Sequence, residues 1–290
     1  MANATPTTPK DQFSARYTKG VGVAHRGTAR VGTRALWGNT GNEIMNFREF
    51  CTHNIDFLVD SDTYQTGGGN EPHLWTLTNL TGVAGAFTKI DDTVQGLALL
   101  DVGGATASHG VQIQEIDATG AGLKYDPTLS YIVSWESRGS MTLAEDCDWF
   151  VGIGIEDSTF MDAAGAITAE VTDYMGFLHV EDATTVQLVQ CGTANANAVI
   201  VVPDVPLWTP ADAAATKRRL GLRIENNDFM AWYLDGDEVG STHIGDLDAA
   251  GDDTVAFAAP MCSTICLVNN SGAGQATATI DYIASQVTRY

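Results

Sequence analysis

The sequence predicts an all-β protein of two packed antiparallel sheets, and three observations carry that expectation. Short stretches rich in β-branched and aromatic residues alternate apolar and polar positions with a period of two. Gly, Asn and Asp separate them, as turns require. About a dozen such stretches follow residue 50, too many for one open sheet; two stacked sheets bury their alternating faces in a core about 10 Å thick.

Residues 1–50 stand apart from this pattern. Thr5-Pro6 and Thr8-Pro9 keep the start extended, and Gly20, Gly22, Gly27, Gly32 and Gly38 interrupt any regular element. Arg26, Arg30 and Arg34 recur at four-residue spacing, which would line one face of a helix, yet Gly27 and Gly32 favour an extended arm ordered by a partner. The expected organisation is therefore an extended basic N-terminal arm over 1–50 and a β-sandwich domain over 51–290.

Within the domain the alternation predicts strands at Ile55–Val59, Leu74–Thr78, Gly96–Asp101, Val111–Ile116, Tyr131–Glu136 and Trp149–Ile155. Further strands are expected at Tyr174–Val180, Val186–Cys191, Ala198–Val202, Thr254–Ala259, Thr264–Asn269 and Thr277–Val287. The clearest hairpin runs from Leu220, Leu222 and Ile224 through the turn Asn226-Asn227-Asp228 to Met230, Trp232 and Leu234, with one face buried and one wet. Asp235-Gly236 supplies a second tight turn before Glu238-Val239-Gly240. The one helical candidate is Ala-rich Pro210–Arg218, with Thr209 as cap and Pro210 in the first turn.

Charge divides along the same line. Residues 1–50 hold seven Lys/Arg against three acids, a net of about +4, whereas the remainder holds eight against 33, a net of −25, within a formal charge of −21 for all 290 residues. A basic leader on an acidic body reads as an arm that docks while the body faces solvent. The same acidity, with only five lysines, also suits a protein kept soluble in high salt. A phosphate backbone is repelled by such a body, so nucleic acid is not an expected partner. No apolar run approaches the ~20 residues that cross a bilayer, and Met-Ala-Asn-Ala-Thr-Pro lacks the order of a secretory signal, so a soluble chain made in a cytoplasm is expected.

Chemistry-bearing patterns are sparse. Cys51, Cys147, Cys191, Cys262 and Cys266 are odd in number and form no CxxC pair, which reads as reduced, buried thiols. The six histidines, among them His109, His179 and His243, form neither HxH nor HxxxH, so no metal or cofactor is expected of them. Acidic turns such as Asp60-Ser61-Asp62, Asp91-Asp92, Glu145-Asp146, Asp246-Leu247-Asp248 and Asp252-Asp253 match no calcium loop. The glycine runs Gly67-Gly68-Gly69 and Lys19-Gly20-Val21-Gly22 lack the context that binds phosphate. Glu115-Ile116-Asp117 is two thirds of the E-x-D-x-x-E arrangement of sandwich-fold glycosidases, but Gly120 stands where the third acid would be. Trp75, Trp135, Trp149 and Trp232 lie inside strands and read as core, while Trp37 in the arm and Trp208 in a Pro-flanked loop stand outside them.

From about residue 75 the order of segments resembles the concanavalin A-like (laminin G-like) jelly roll found in structural proteins of tailed viruses. The residues that carry the likeness are the strands around Gly96–Gly103, Gly110–Gln114, Tyr131–Glu136, Trp149–Gly154, Tyr174–Phe177, Leu220–Ile224, Trp232–Gly236 and Thr279–Ile283. The resemblance implies an antiparallel two-sheet jelly-roll sandwich with an N-terminal arm. It also implies a capsid decoration or cement subunit, a homotrimer that binds a major capsid protein at the virion surface and is no enzyme. Together with the charge split it marks Arg16, Lys19, Arg26, Arg30, Arg34 and Trp37 as the shell-docking surface. Two alternatives remain open: a carbohydrate-binding virion fibre or adhesin module, and a glycosidase built around Glu115 and Asp117.

Overall fold

The structure, a computed structural model, describes residues 50–56, 75–81, 84–90, 97–116, 124–142, 147–181, 183, 185–192, 199–205, 217–246, 255–269 and 274–289, with backbone alone at 50–56, 81, 89–90, 131, 199–205 and 288–289. In chain order the strands are β1 (Phe50–Asp56), β2 (Thr76–Thr81), β3 (Ala86–Ile90), β4 (Leu97–Asp101), β5 (His109–Gln114), β6 (Ser130–Thr142), β7 (Cys147–Gly154) and β8 (Tyr174–His179). They continue as β9 (Val186–Cys191), β10 (Val199–Val205), β11 (Arg218–Glu225), β12 (Phe229–Leu234), β13 (Asp237–His243), β14 (Cys262–Asn269) and β15 (Thr277–Arg289).

These strands build two antiparallel sheets. One runs β13-β12-β11-β6-β15-β4-β3, with β1 also paired to β15, and the other runs β10-β9-β8-β7-β14-β5-β2. The 13-residue strands β6 and β15 form the spine of the eight-stranded sheet, in register from Thr277↔Thr142 to Arg289↔Ser130 with a bulge between Ile280 and Tyr282. β4 pairs with the first part of β15 and β1 with the second, so the two share one flank of a single long strand. Both hairpin turns form as the sequence predicts. Asn226 and Asn227 take positive φ of 55° and 52°, and Asp235-Gly236 takes 49° and 95°, conformations that asparagine, aspartate and glycine tolerate.

The core lies between the sheets. Trp75, Trp135, Trp149 and Trp232 have no exposed surface and pack with Val111, Ile113, Val151, Leu222 and Ile283. Each indole buries about 150–250 Å², which at about 25 cal/mol per Å² contributes about 4–6 kcal/mol before entropy is counted. Two of them are also anchored by hydrogen bonds: Trp232 Nε1 donates to Gly176 O at 2.9 Å and Trp135 Nε1 to Ser263 Oγ at 3.0 Å.

Four expectations are revised. Ala86–Ile90 is a strand that the alternation does not single out. Residues 255–259 of the expected strand Thr254–Ala259 are irregular, because side chains take up their backbone groups: Asn227 bonds both the N–H and the C=O of Phe257, and Asp173 Oδ1 accepts the N–H of Ala258. The face of the β11–β12 hairpin expected to be wet is also buried, at Arg223, Ala231 and Tyr233. Arg223 tolerates this because Nε donates to Glu225 Oε1 at 2.7 Å and its register partners are the small Ser134 and Ala231. Arg218, expected in a helix, begins β11; residues 206–216 lie outside the described residues. Among the described residues no helix is long and apolar enough to cross a membrane.

Candidate functional site

Alternation along the seven-stranded sheet sends Trp149, Val151 and Ile153 of β7 into the inter-sheet core, and Asp148, Phe150, Gly152 and Gly154 to the outer face. On β8 the outward positions are Tyr174, Gly176 and Leu178; on β14 they are Thr264, Cys266 and Val268. Asp148 is the one acidic side chain on the outward positions of β5, β7, β8 and β14 among the described residues.

The connection from β7 to β8, residues 155–173, folds back over this face and builds a second apolar cluster. Phe160, Met161 and Val171 pack on Phe150, Tyr174, Val189 and Cys266. The rings of Phe150 and Phe160 are 4.7 Å apart, and Tyr174 meets Phe160 edge-on at 5.9 Å. Gly154 makes the approach feasible, since a Cβ there would stand 2.3 Å from the Phe160 ring. Two glutamines of β5 hold the connection down. Gln112 Oε1 accepts the Phe160 N–H at 2.9 Å while its Nε2 donates to Asp157 O; Gln114 Oε1 accepts the Asp157 N–H at 3.1 Å while its Nε2 donates to Ile155 O at 2.9 Å. Asp162 closes the tip by accepting the N–H groups of Ala164 and Ala166 at 2.8 and 3.0 Å.

Between this flap and the outer face at β8 lies an open groove of about 390 Å³, lined by Ala164–Ala169 and Val171 of the flap, by Tyr174, Leu178 and Val180, and by Cys191 of β9 and Asp148 of β7. Its size and its mainly apolar lining with a few polar groups are those of a small-molecule site. Burial pushes the Asp148 carboxyl above the ordinary aspartate value of 3.8, and Asp162 adds to this; the Glu181 N–H, which donates to Asp148 Oδ1 at 2.6 Å, and His179 oppose it. Gly165, at φ 77°, lies directly on the Asp148 carboxylate, so a Cβ there would collide with Oδ2. Burial also raises the Tyr174 phenol, and it pushes the Cys191 thiol up to about 11. Neither is a nucleophile at neutral pH. Gly165 and the Glu181 N–H enclose the Asp148 carboxyl, so what the groove offers a ligand is chiefly apolar contact.

The glycosidase alternative at Glu115 is corrected by geometry. Glu115 is buried between the sheets, where Ser263 Oγ donates to its Oε2 at 2.6 Å and the Tyr125 hydroxyl at 3.4 Å, and Ser263 in turn accepts the Trp135 indole. A carboxyl enclosed in that network cannot reach a sugar in a cleft. Its expected companion Asp117 lies outside the described residues, as do Arg16, Lys19, Arg26, Arg30, Arg34, Trp37 and Trp208. Cys147, Cys191, Cys262 and Cys266 are buried thiols outside any disulfide. Among the described residues no three His, Cys, Asp or Glu gather into a metal-holding group. The groove itself escapes sequence reasoning, although glycines inside the strands at 152, 154 and 176 signal that something approaches the sheet closely.

No family model matches the sequence, and no curated protein matches it. Solved structures do. The chain is similar to a protein of unknown function from Shewanella oneidensis MR-1, with a TM-score of 0.50 and 8% identity over 99% of this chain and 97% of that one. It is similar to the catalytic domain of an endo-1,3-β-glucanase (laminarinase) from Thermotoga petrophila RKU-1, with a TM-score of 0.53 and 11% identity over 82% of this chain and 97% of that one. A third is SCLam, a non-specific endo-β-1,3(4)-glucanase from family GH16, with a TM-score of 0.50 and 12% identity over 83% and 92%.

At these identities the likeness establishes the fold: an antiparallel two-sheet jelly-roll sandwich of concanavalin A-like type, shared with carbohydrate-active proteins. The expectation that the chain is no enzyme is corrected by the same finding. Glucanases use this architecture, and one incomplete acid triplet on one strand is too narrow a basis for excluding an enzyme. None of the three structures is described as a virion protein.

Proposed function

We propose that this chain is a carbohydrate-recognising jelly roll that receives sugar in the groove beside the 155–173 flap. The observation that carries the reading is the composition of the groove: apolar Ile167, Leu178 and Val180 line an open volume of about 390 Å³ and can lie against sugar C–H faces. The fold shared with two glucanases supports it.

The test is a glycan panel that includes β-1,3- and mixed-linkage glucans, run on the wild-type protein and on Ala169→Trp, with reducing ends assayed in parallel. Ala169 is exposed on the groove wall, so the indole fills the groove without entering the core. Binding that Ala169→Trp abolishes supports the reading, and release of reducing ends that Ala169→Trp also abolishes extends it to hydrolysis in the same groove. Binding unchanged by Ala169→Trp places the sugar elsewhere and refutes it.

The charge division along the sequence favours a second, compatible reading for the whole chain: a subunit of a viral particle, held to the shell by its basic leader, with the sandwich as a glycan-binding module. Arg16, Lys19, Arg26, Arg30, Arg34 and Trp37 would make the docking contacts, and an oligomer with several such arms would gain avidity. Deleting residues 1–40 is expected to leave a folded body that no longer binds shells. Undiminished binding would overturn this second reading.

A further inference from the structure

We infer that the 155–173 flap makes the groove a site for the end of a carbohydrate chain or for a short oligosaccharide, and excludes the interior of a long polymer. The inference rests on the carbohydrate reading above and concerns what part of the ligand fits.

An interior stretch of polysaccharide needs an open track from one flank of the sheet to the other. Here the track is blocked. Phe160 and Met161 fill the outer face above β7 and β14, with Phe160 set against Gly154 and Phe150. Gln112 and Gln114 fasten the flap to β5, on the far side of β14, through four hydrogen bonds to the backbone at Ile155, Asp157 and Phe160. The obstruction therefore spans the centre of the sheet from β7 to β5. What stays open is the groove between the flap and Tyr174, Leu178, Val180 and Cys191 at β8 and β9. The flap itself, from Ala164 to Ala169 with Val171, lines one side of the groove, so a chain entering over Val180 meets it. Gln112 and Gln114 are thus positioning residues for specificity: they touch the flap, and through it decide which ligand is admitted.

The experiment is a calorimetric titration of the wild-type protein and of the double variant Gln112→Ala/Gln114→Ala. The ligands are β-1,3-linked gluco-oligosaccharides of increasing length and a long β-1,3-glucan quantified by its chain ends. Wild-type affinity per chain end is expected to level off after a few sugars and to be the same for the polymer, within about threefold. In the double variant, affinity for the polymer should rise at least tenfold over that for the short sugar as the flap loosens, with the fold verified by circular dichroism. Wild-type affinity that keeps growing with chain length overturns the end-specific inference while leaving the carbohydrate reading intact. No saturable binding at any length overturns both.

Discussion

The side-chain amide oxygen of Gln112 and the backbone N–H of Phe160 meet at 2.9 Å across 48 residues of sequence, and this bond joins β5, next to the edge of its sheet, to the flap that covers it. Both residues are buried. Removing the amide leaves the Phe160 N–H without its acceptor in a dry setting, which costs about 1–3 kcal/mol. Gln112→Ala is therefore expected to lower stability by that amount in chemical denaturation and to speed amide exchange at Asp157 and Phe160 selectively. Equal exchange at those amides in wild type and variant would show that the flap is held by other means.

The contact of Gly165 with Asp148 predicts a coupled pair. Gly165→Ala adds a methyl onto the carboxylate at a positive φ of 77°, and should destabilise the protein by roughly 1–3 kcal/mol. Part of that cost is steric and should shrink without vanishing when Asp148 is shortened to Ala, since the Asp148 Cβ also lies 2.5 Å from the added methyl, whereas the backbone part should persist. A double-mutant cycle measures the difference, and strict additivity would contradict the contact.

Asp148 also makes stability depend on pH with a definite sign. Its folded value is raised above 3.8, so the folded state binds the proton more tightly than the unfolded chain does. Its contribution is fully present below pH 3.8 and is lost as pH rises through the folded value. Asp148→Asn removes this dependence. The variant should melt above wild type at neutral pH, and the gap should close below about pH 4; a gap that widens on acidification would reverse the assigned direction.

Ser263 links Glu115 of one sheet to Trp135 of the other. Ser263→Ala takes a donor from a buried carboxyl and an acceptor from a buried indole, at about 1–3 kcal/mol by the cost of unsatisfied buried groups. A lower denaturation midpoint, accompanied by a change in tryptophan emission, is the expected result. An unaltered midpoint would mean that the network adds nothing to the core.

Much of the fold is legible in the residues because local rules and burial agree. Leu220, Leu222 and Ile224 alternate toward the core, and Asn226-Asn227 and Asp235-Gly236 supply the positive φ that their turns need. The segment 255–259 misleads because its alternation is real, but its hydrogen-bonding groups are claimed by Asn227 and Asp173 from distant turns. The candidate site was hidden for a related reason. Gln112 and Gln114 look like the wet side of a strand, and only the folded chain shows a flap above them that accepts and donates to both. Glu115 errs in the opposite direction: its acid neighbour suggests a cleft, and its position on β5's inward alternation places it in the core.

The central claim is that sugar enters the groove over β8 and β9. Calorimetric titration of a short β-1,3-linked gluco-oligosaccharide into wild type and Ala169→Trp tests it most directly. Saturable binding with one site per chain, weakened at least tenfold by the tryptophan in a protein of unchanged melting temperature, is the predicted result. Equal affinity in the two proteins, or no saturable heat in the wild type, would contradict it.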